Sequence, residues 1–222
     1  MIKKERTSAQ PFLPRQLSLE TLKKAAEHCQ GCQLYKYAIQ TVFGEGPSHA
    51  RVVMVGEQPG DQEDKQGKPF VGPAGKLLNR ALELAGIDRR EVYLTNAVKH
   101  FRFEDRGGRR LHKKPRPIDV DACIPWLEAE LQVTKPEVIV CLGATAAQAL
   151  MGKQFRVSHE RGRFFTHPRA PWIVATVHPS SILRARDDED RHAQMGAFVE
   201  DLKLVAYALK HGHPPNKAFG AA

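Results

Sequence analysis

Four cysteines are the first residues of this 222-residue chain whose type and spacing could do chemistry. Cys29 and Cys32 are separated by two residues, a spacing that lets both thiolates reach one metal centre. Cys123 and Cys141 bring the total to four, the number that a tetrathiolate site needs. A zinc ion and a [4Fe–4S] cluster make the same demand, so spacing leaves both open. Cys141 lies in the apolar run VIVCLG, where it could equally be a small buried hydrophobic residue.

A second group of reactive side chains follows apolar, β-branched runs that are typical of buried strands. The runs are Arg51–Gly56, Glu91–Val98, Val138–Leu142 and Trp172–Val177. In a parallel sheet, ligands bind just beyond the carboxyl ends of the strands. This rule selects Gly56-Glu57-Gln58-Pro59-Gly60, Asn96, Gly143 and His178-Pro179-Ser180. We therefore predict one site at this edge.

Helical patterns separate these runs, which sets the fold class. One helix is predicted to start at Pro73 and end before Gly86, and others span Val120–Val133, Ala144–Leu150 and Arg191–Leu209. Strands that alternate with helices predict an α/β protein, a three-layer α/β/α sandwich with a mainly parallel four-stranded central sheet. We expect one domain over residues 21–210, a disordered arm at 1–20 and a flexible tail at 211–222.

The charge balance favours a polyanionic partner. The net charge is +9, and basic residues cluster in the Gly- and Pro-rich stretch from residue 102 to residue 116. A solvated loop is the alternative interpretation of such a stretch. No run is long enough to span a membrane, and no apolar core follows the charged N-terminus. We expect a cytoplasmic monomer with reduced thiols and no membrane partner.

Several segments in the same order resemble one family. They are GEQPGDQEDKQGKPFVGPAGKLLNRAL, YLTNAVKH, VHPSSILR and the four cysteines. Together they resemble the family-four uracil-DNA glycosylases over roughly residues 27–209. The resemblance implies an α/β/α sandwich that excises uracil from DNA, with single strands favoured. It also implies a [4Fe–4S] cluster bound by Cys29, Cys32, Cys123 and Cys141.

One branch of that superfamily is especially similar. GEQPGD, and an insertion after the second strand, look like the UdgX group, whose basic Lys-Arg-Arg-Ile-His loop attaches its histidine to the DNA sugar. Here the loop reads Gly108-Arg109-Arg110-Leu111-His112. Gly108 replaces the lysine and Leu111 the isoleucine, while both arginines and the histidine are present.

The resemblance assigns roles to the residues at the strand ends. Phe70 would stack on uracil, and the Asn96 amide can match uracil O4 and N3–H. His178 would donate to O2 as the glycosidic bond breaks, and Glu57 would stabilise the cationic sugar. Gln58 and Asp61 line the same turn as Glu57. The residues expected to contact DNA are Arg109, Arg110, Lys113, Ser180 and Arg184.

His112 carries the sharpest hypothesis. A neutral imidazole held near the sugar C1′ would attack that carbon faster than water does. The product would be a stable covalent adduct, so that each protein molecule acts once. In the alternative interpretation His112 only touches phosphate in a DNA-backbone clamp, and water completes a conventional turnover reaction. A non-catalytic uracil-DNA binding protein is a further alternative.

Overall fold

A computed structural model describes residues 8–216. Residues 1–7 of the predicted arm and 217–222 of the predicted tail lie outside this range. The strands are β1 Val52–Gly56, β2 Val92–Asn96, β3 Phe103–Arg106, β4 Arg109–His112, β5 Val138–Leu142, β6 Phe164–His167 and β7 Ala170–Thr176. The helices are α1 Leu19–Ala26, α2 Asp61–Gln66, α3 Pro73–Ala85, α4 Pro117–Thr134, α5 Ala144–Met151, α6 Val157–Glu160, α7 Pro179–Ile182 and α8 Asp188–His211.

The central sheet has five strands in the order β2-β1-β5-β7-β6. The first four are parallel, as predicted, and β6 pairs antiparallel with β7. The predicted count of four strands is therefore wrong by one. The run Phe164–His167 is only four residues long, too short for its own pattern to reveal a strand. It becomes one by pairing with the otherwise free edge of β7.

Helices cover both faces of the sheet, which confirms the α/β/α sandwich. Every residue of β1, β2 and β5 is buried, as expected for parallel strands with two covered faces. Alternate residues of β1 belong to different cores: Val53 and Val55 pack on the side of α1, α4 and α5, and Val52 and Met54 on the side of α3 and α8. Within residues 8–216 no helix is long and apolar enough to cross a membrane.

Residues 8–20 differ from the expected disordered arm. They contain a 3₁₀ turn at Gln10–Phe12, and Ser18 caps α1. Ala9 is buried, and its N–H donates to the Ala122 carbonyl at 2.7 Å. This contact with α4 comes from chain that is distant in sequence, so local composition could not predict it.

The basic stretch forms a hairpin rather than a flexible loop. β3 and β4 pair antiparallel, with Phe103 opposite His112 and Arg106 opposite Arg109. Gly107 and Gly108 form the turn with φ values of 61° and 81°, the positive angles that a two-residue type I′ turn requires. Gly108 therefore suits the positive φ of this turn, at which a lysine would be strained.

A buried ion pair lies beneath the end of β2. Lys99 Nζ is 2.5 Å from Glu130 Oε2, and both side chains are at most 1% exposed. Thr95 and Tyr93 also donate hydroxyl hydrogen bonds to Glu130, and Lys99 Nζ donates to the Asn96 carbonyl at 2.8 Å. The pair therefore ties β2 and the following turn to α4.

Removing one member of this pair should destabilise the fold strongly. Lys99→Met leaves Glu130 as an unpaired buried charge, and we expect the free energy of unfolding to fall by about 3–5 kcal/mol in urea denaturation. Lys203→Met is the matched control, because Lys203 pairs with Glu200 on the exposed surface. Its cost should stay below about 1 kcal/mol. Equal losses in the two variants would contradict a structural role for the Lys99 pair.

Candidate active site

A cavity of about 730 Å³ opens at the carboxyl ends of the parallel strands. Eight of the predicted site residues line it, namely Glu57, Gln58, Phe70, Asn96, His112, His178, Ser180 and Arg184. Further lining residues that sequence reasoning did not select include Glu63, Lys114 and Thr145. Asp61, Arg109, Arg110 and Lys113, which were predicted to contact uracil or DNA, are not among the residues lining this cavity.

Gly56 makes room for the polar and aromatic walls of the cavity. It lies opposite Asn96 in the β1–β2 register. A Cβ atom at residue 56 would be 2.3 Å from Asn96 Oδ1 and 2.7 Å from Phe70 Cζ, closer than real contacts allow. Phe70 has a φ of 56°, a left-handed conformation that few non-glycine residues adopt. The surrounding packing thus holds Asn96 and Phe70 close together at the end of β1.

Two carboxylates follow β1, and each accepts hydrogen bonds from neighbouring protein groups. Glu57 Oε2 accepts a short hydrogen bond from the Thr145 hydroxyl. Glu63 accepts from the N–H groups of Gly60 at 3.1 Å and Gly72 at 2.7 Å, so it joins two loops rather than standing in solvent. Thr145 comes two residues after Gly143, at a predicted strand end, and that position was the signal that could have identified it.

The Gln58 amide determines which nitrogen of His112 can accept a hydrogen bond. Its Oε1 accepts from the Arg102 N–H at 3.2 Å, and its Nε2 donates to the Arg102 and Lys113 carbonyls, each at 3.1 Å. These contacts fix the amide orientation. Nε2 also lies 3.0 Å from His112 Nε2. An amide NH₂ has two hydrogens and only donates, so His112 shares one of them with a carbonyl; His112 Nε2 then carries the lone pair and Nδ1 the proton.

The surroundings of His112 favour its neutral form. Desolvation lowers the pKa of this imidazole, and the charge of Arg184 lowers it further, against an opposing effect of Glu57. Its Nε2 is 3.7 Å from Glu57 Oε1, and the side chain is 50% exposed. A neutral ring whose lone pair is on the nitrogen beside Gln58 and a carboxylate can act as a nucleophile or a base when that amide contact opens.

His178 is arranged as a donor. Its Nδ1 accepts from the Ser180 N–H at 3.1 Å and lies 2.8 Å from Ser180 Oγ, so the neutral ring carries its proton on Nε2. Desolvation lowers the pKa of His178 to about 4, with help from His112 and Arg184. Its ring centroid is 6.2 Å from that of Phe70, with planes tilted by 26°. The site thus holds two neutral imidazoles, one accepting and one donating.

Arg110 holds the hairpin to α2. It pairs with Asp61 at 2.6 Å and with Asp64 at 2.5 Å, and its side chain is only 15% exposed. Asp64 is fully buried and also accepts from the Ile39 N–H. The guanidinium lies 5.5 Å and 5.0 Å from the ring centroids of Phe101 and Phe103. Arg110 and Asp61 therefore position the hairpin that carries His112.

Only part of the basic stretch is free to meet another molecule. Arg109 is exposed at the hairpin tip, and Lys114 and Arg184 line the cavity. Lys113 instead pairs with Glu104 at 2.5 Å, and Arg106 pairs with the same carboxylate. Of the residues predicted to contact DNA, Arg109 and Arg184 could therefore meet a partner, whereas Lys113 and Arg110 are already in ion pairs.

The structure brings three of the four cysteines together. Cys123 is close enough to Cys29 and Cys32 for their charges to act on it, and burial above all raises its pKa to about 12. Its Sγ accepts from the Lys99 N–H at 3.2 Å, and Cys29 Sγ accepts from Trp126 Nε1 at 3.2 Å. Cys141 belongs to the same buried core but is in β5, where burial alone raises its pKa.

A buried histidine that sequence reasoning missed lies beside these cysteines. His100 Nδ1 is 4.0 Å from Cys32 Sγ, and desolvation lowers the pKa of His100 to about 4. Within residues 8–216 no three His, Cys, Asp or Glu side chains converge on a point suited to one metal ion. A tetrahedral zinc would need its sulfurs about 3.8 Å apart. In a [4Fe–4S] cluster each thiolate binds a different iron, so wider spacing is needed, and buried thiols that accept N–H bonds fit that group.

Comparisons with known proteins indicate one family. The profile of the uracil DNA glycosylase superfamily matches residues 43–203. The chain is 37% identical to a type-4 uracil-DNA glycosylase of Thermotoga maritima, over 89% of this chain and 98% of that protein. It is 34% identical to one of Pyrobaculum aerophilum, over 85% and 93% of the two chains. One of Archaeoglobus fulgidus is 36% identical, over 75% and 83%.

The ionisation of His178 can be measured directly. Because its pKa lies near 4, below the usual 6.5, the ring should be neutral at pH 7 and gain a proton only as the pH falls toward 4. In ¹⁵N NMR spectra of histidine-labelled protein, we expect the neutral ring to carry its proton on Nε2. His178→Gln assigns the signal. A titration midpoint at 6.5 or above, or a proton on Nδ1, would contradict this arrangement.

Proposed function

This chain belongs to the uracil-DNA glycosylase superfamily, and from that premise we propose that it excises uracil from DNA and then becomes covalently linked to the sugar through His112. The observation that carries the proposal is the position of His112. It lines the cavity, and its Nε2 lies 3.0 Å from Gln58 Nε2 and 3.7 Å from Glu57 Oε1. We assign the protein to the UdgX-type branch on this ground.

Uracil would bind between the walls at the end of β1. Its ring would lie against Phe70, and the Asn96 amide would pair with O4 and N3–H. Cytosine presents the reverse pattern of donor and acceptor at these atoms, so an amide held in one orientation would reject it. The Lys99 contact with the Asn96 carbonyl supports this role, because it fixes the backbone that carries the amide. Asp61 would act only indirectly, through Arg110.

Bond cleavage needs stabilisation at both ends of the breaking bond. The electron pair of the C1′–N1 bond passes to uracil, and the Nε2–H of His178 donates to O2, where negative charge grows. The sugar becomes cationic, and the Glu57 carboxylate, which Thr145 holds in place, faces it. A neutral His178 suits this role, since its Nε2 proton stays on the ring throughout.

The covalent step follows from the same geometry. His112 Nε2 attacks C1′ as uracil departs, and the bond to nitrogen replaces the bond to uracil N1. The imidazolium then loses its Nδ1 proton to solvent, and the departed uracil anion takes one up. The product is a neutral N-glycosyl imidazole. No donor is positioned to help the imidazole leave C1′ again. We therefore expect each protein molecule to react once.

A [4Fe–4S] cluster is part of the proposal. Cys29, Cys32 and Cys123 would hold it on the face of the sheet covered by α1 and α4. When bound, the cluster would supply a structural cross-link between α4 and the segment that follows α1. Uracil-containing DNA is the proposed partner, with single strands favoured, and the protein would act as a monomer. Arg109, Lys114 and Arg184 are the exposed or cavity-lining cations that could meet its phosphates.

Reaction with a uracil-containing single-stranded oligonucleotide tests the central step. We expect a band that survives denaturing electrophoresis, with a mass equal to protein plus oligonucleotide minus one uracil. His112→Ala should lose the band, because it removes the attacking nitrogen, and should still release free uracil.

The competing functions give different results in the same experiment. Many molecules of free uracil per protein and no adduct would establish conventional turnover with water as the nucleophile. Binding without any uracil release would establish a non-catalytic reader. An adduct that persists in His112→Ala would assign the covalent step to another residue.

The ion pairs of Arg110 should affect the rate of adduct formation more than they affect the affinity for DNA. Arg110→Gln releases the hairpin from Asp61 and Asp64, and a displacement of His112 by about 1 Å should slow adduct formation about 10²-fold at saturating DNA. Arg106→Gln removes the same charge from the same hairpin, but its partner Glu104 is on the surface. We expect roughly unchanged adduct rates for that control in quenched-flow measurements. Equal slowing in both variants would show that charge, rather than position, matters.

A further inference from the structure

We infer that the imidazoles of His211 and His213 form a binding site for a divalent transition-metal ion such as Zn²⁺. The two residues lie at the carboxyl end of α8, and both are exposed. Neither residue lines the active-site cavity, so this inference does not depend on the proposed function. Two neutral imidazoles would be the protein ligands, and water would occupy the remaining coordination positions.

Each of the two rings has one nitrogen hydrogen-bonded to a backbone carbonyl. His211 Nδ1 is 2.9 Å from the Tyr207 carbonyl oxygen, and His213 Nδ1 is 2.9 Å from that of Pro214. A carbonyl only accepts, so each Nδ1 carries the proton and each neutral ring has its lone pair on Nε2. Metal-binding histidines commonly donate their other N–H to a backbone carbonyl in this way. Both rings are therefore in the tautomer that binds metal through Nε2.

The distance between the two rings suits one shared ion after a small adjustment. Their centroids are 6.3 Å apart, and their planes are inclined at 50°. Because Zn–N bonds are about 2.0–2.1 Å long, two imidazoles on one tetrahedral zinc have centroids about 5 Å apart, so the gap must close by about 1 Å. His213 lies beyond the last residue of α8 and both side chains are exposed, so a side-chain rotation can close it.

Neighbouring groups hold the two rings near this arrangement. The Tyr207 ring stacks on His211 with centroids 4.0 Å apart, and it meets His213 edge-on at 6.1 Å. Gly212 ends the helix with a φ of 78°, and its N–H donates to the Ala208 carbonyl at 2.8 Å. Because these contacts already restrict both rings, metal binding would cost less side-chain entropy than it would for two free surface histidines.

The end of a long helix also favours a cation at this position. The aligned peptide dipoles of the 24-residue α8 place negative partial charge at its carboxyl end. The nearby guanidinium of Arg51, which donates to the Leu209 carbonyl at 2.6 Å, is paired with Glu91 and Glu137. Arg51 directly precedes β1, so the site lies at the amino edge of the sheet, opposite the cavity. A bound ion would therefore stabilise the end of α8 without contacting DNA.

Calorimetric titration of the untagged protein with Zn²⁺ tests this site. We expect one ion to bind to both histidines, so His211→Gln and His213→Gln should each weaken binding at least about tenfold, because chelation is lost. The double variant should bind at this site no more weakly than either single variant. His192→Gln is the matched control, since it removes an exposed histidine near the start of the same helix and should leave Zn²⁺ binding unchanged.

Two further measurements distinguish a shared ion from separate weak contacts. Zn²⁺ should raise the thermal unfolding midpoint of the wild type and of His192→Gln, but not of the other variants. In ¹⁵N NMR spectra of histidine-labelled protein, the Nε2 signals of His211 and His213 should shift together as Zn²⁺ is added. Absence of Zn²⁺ binding, binding that survives in both single variants, or two equal sites of which each single variant loses one would overturn the inference. Unfolding midpoints without Zn²⁺ that match the wild type would show that the variants are folded.

Discussion

The buried charge of Lys99 is the constraint on which this structure depends. A fully desolvated ammonium is stable only if its donors are paired, and here they reach Glu130, the Thr95 hydroxyl and the Asn96 carbonyl. Meeting that demand joins β2 to α4 and fixes the turn that follows β2. The same residue gives its N–H to Cys123 Sγ. The cysteine-rich face and the strand-end cavity are therefore parts of one network rather than two independent sites.

The β3–β4 hairpin contributes to the site separately from the central sheet. The carboxyl ends of the strands form the cavity, and the ion pairs of Arg110 with Asp61 and Asp64 of α2 hold the strand that carries His112. Without that attachment, Gly107 and Gly108 would give the hairpin considerable freedom. In the proposed reaction, base recognition would depend on the core, and the fate of the sugar would depend on a hairpin held by ion pairs.

The two site histidines have similar electrostatic surroundings but carry their protons on different ring nitrogens. Desolvation and the charge of Arg184 keep both rings neutral. Their hydrogen-bond partners then divide the roles: the Gln58 amide donates to His112, and the Ser180 N–H donates to the far nitrogen of His178. The lone pair of His112 is therefore on Nε2, and the proton of His178 is on Nε2. Neighbouring residues, rather than the histidines themselves, set this difference.

The sequence by itself determined the sandwich, the carboxyl-edge location of the site and most of its lining, because strand periodicity and strand-end polarity are local signals. It also indicated a thiol-based centre from Cys29 and Cys32. Only the tertiary structure decided the fifth strand, the ordered segment from residue 8 to residue 20, and the position of Arg110 in an ion pair rather than on the surface. It also placed His100 beside Cys32 and left Cys141 in the sheet. These features depend on contacts between residues far apart in the chain, which no local pattern encodes.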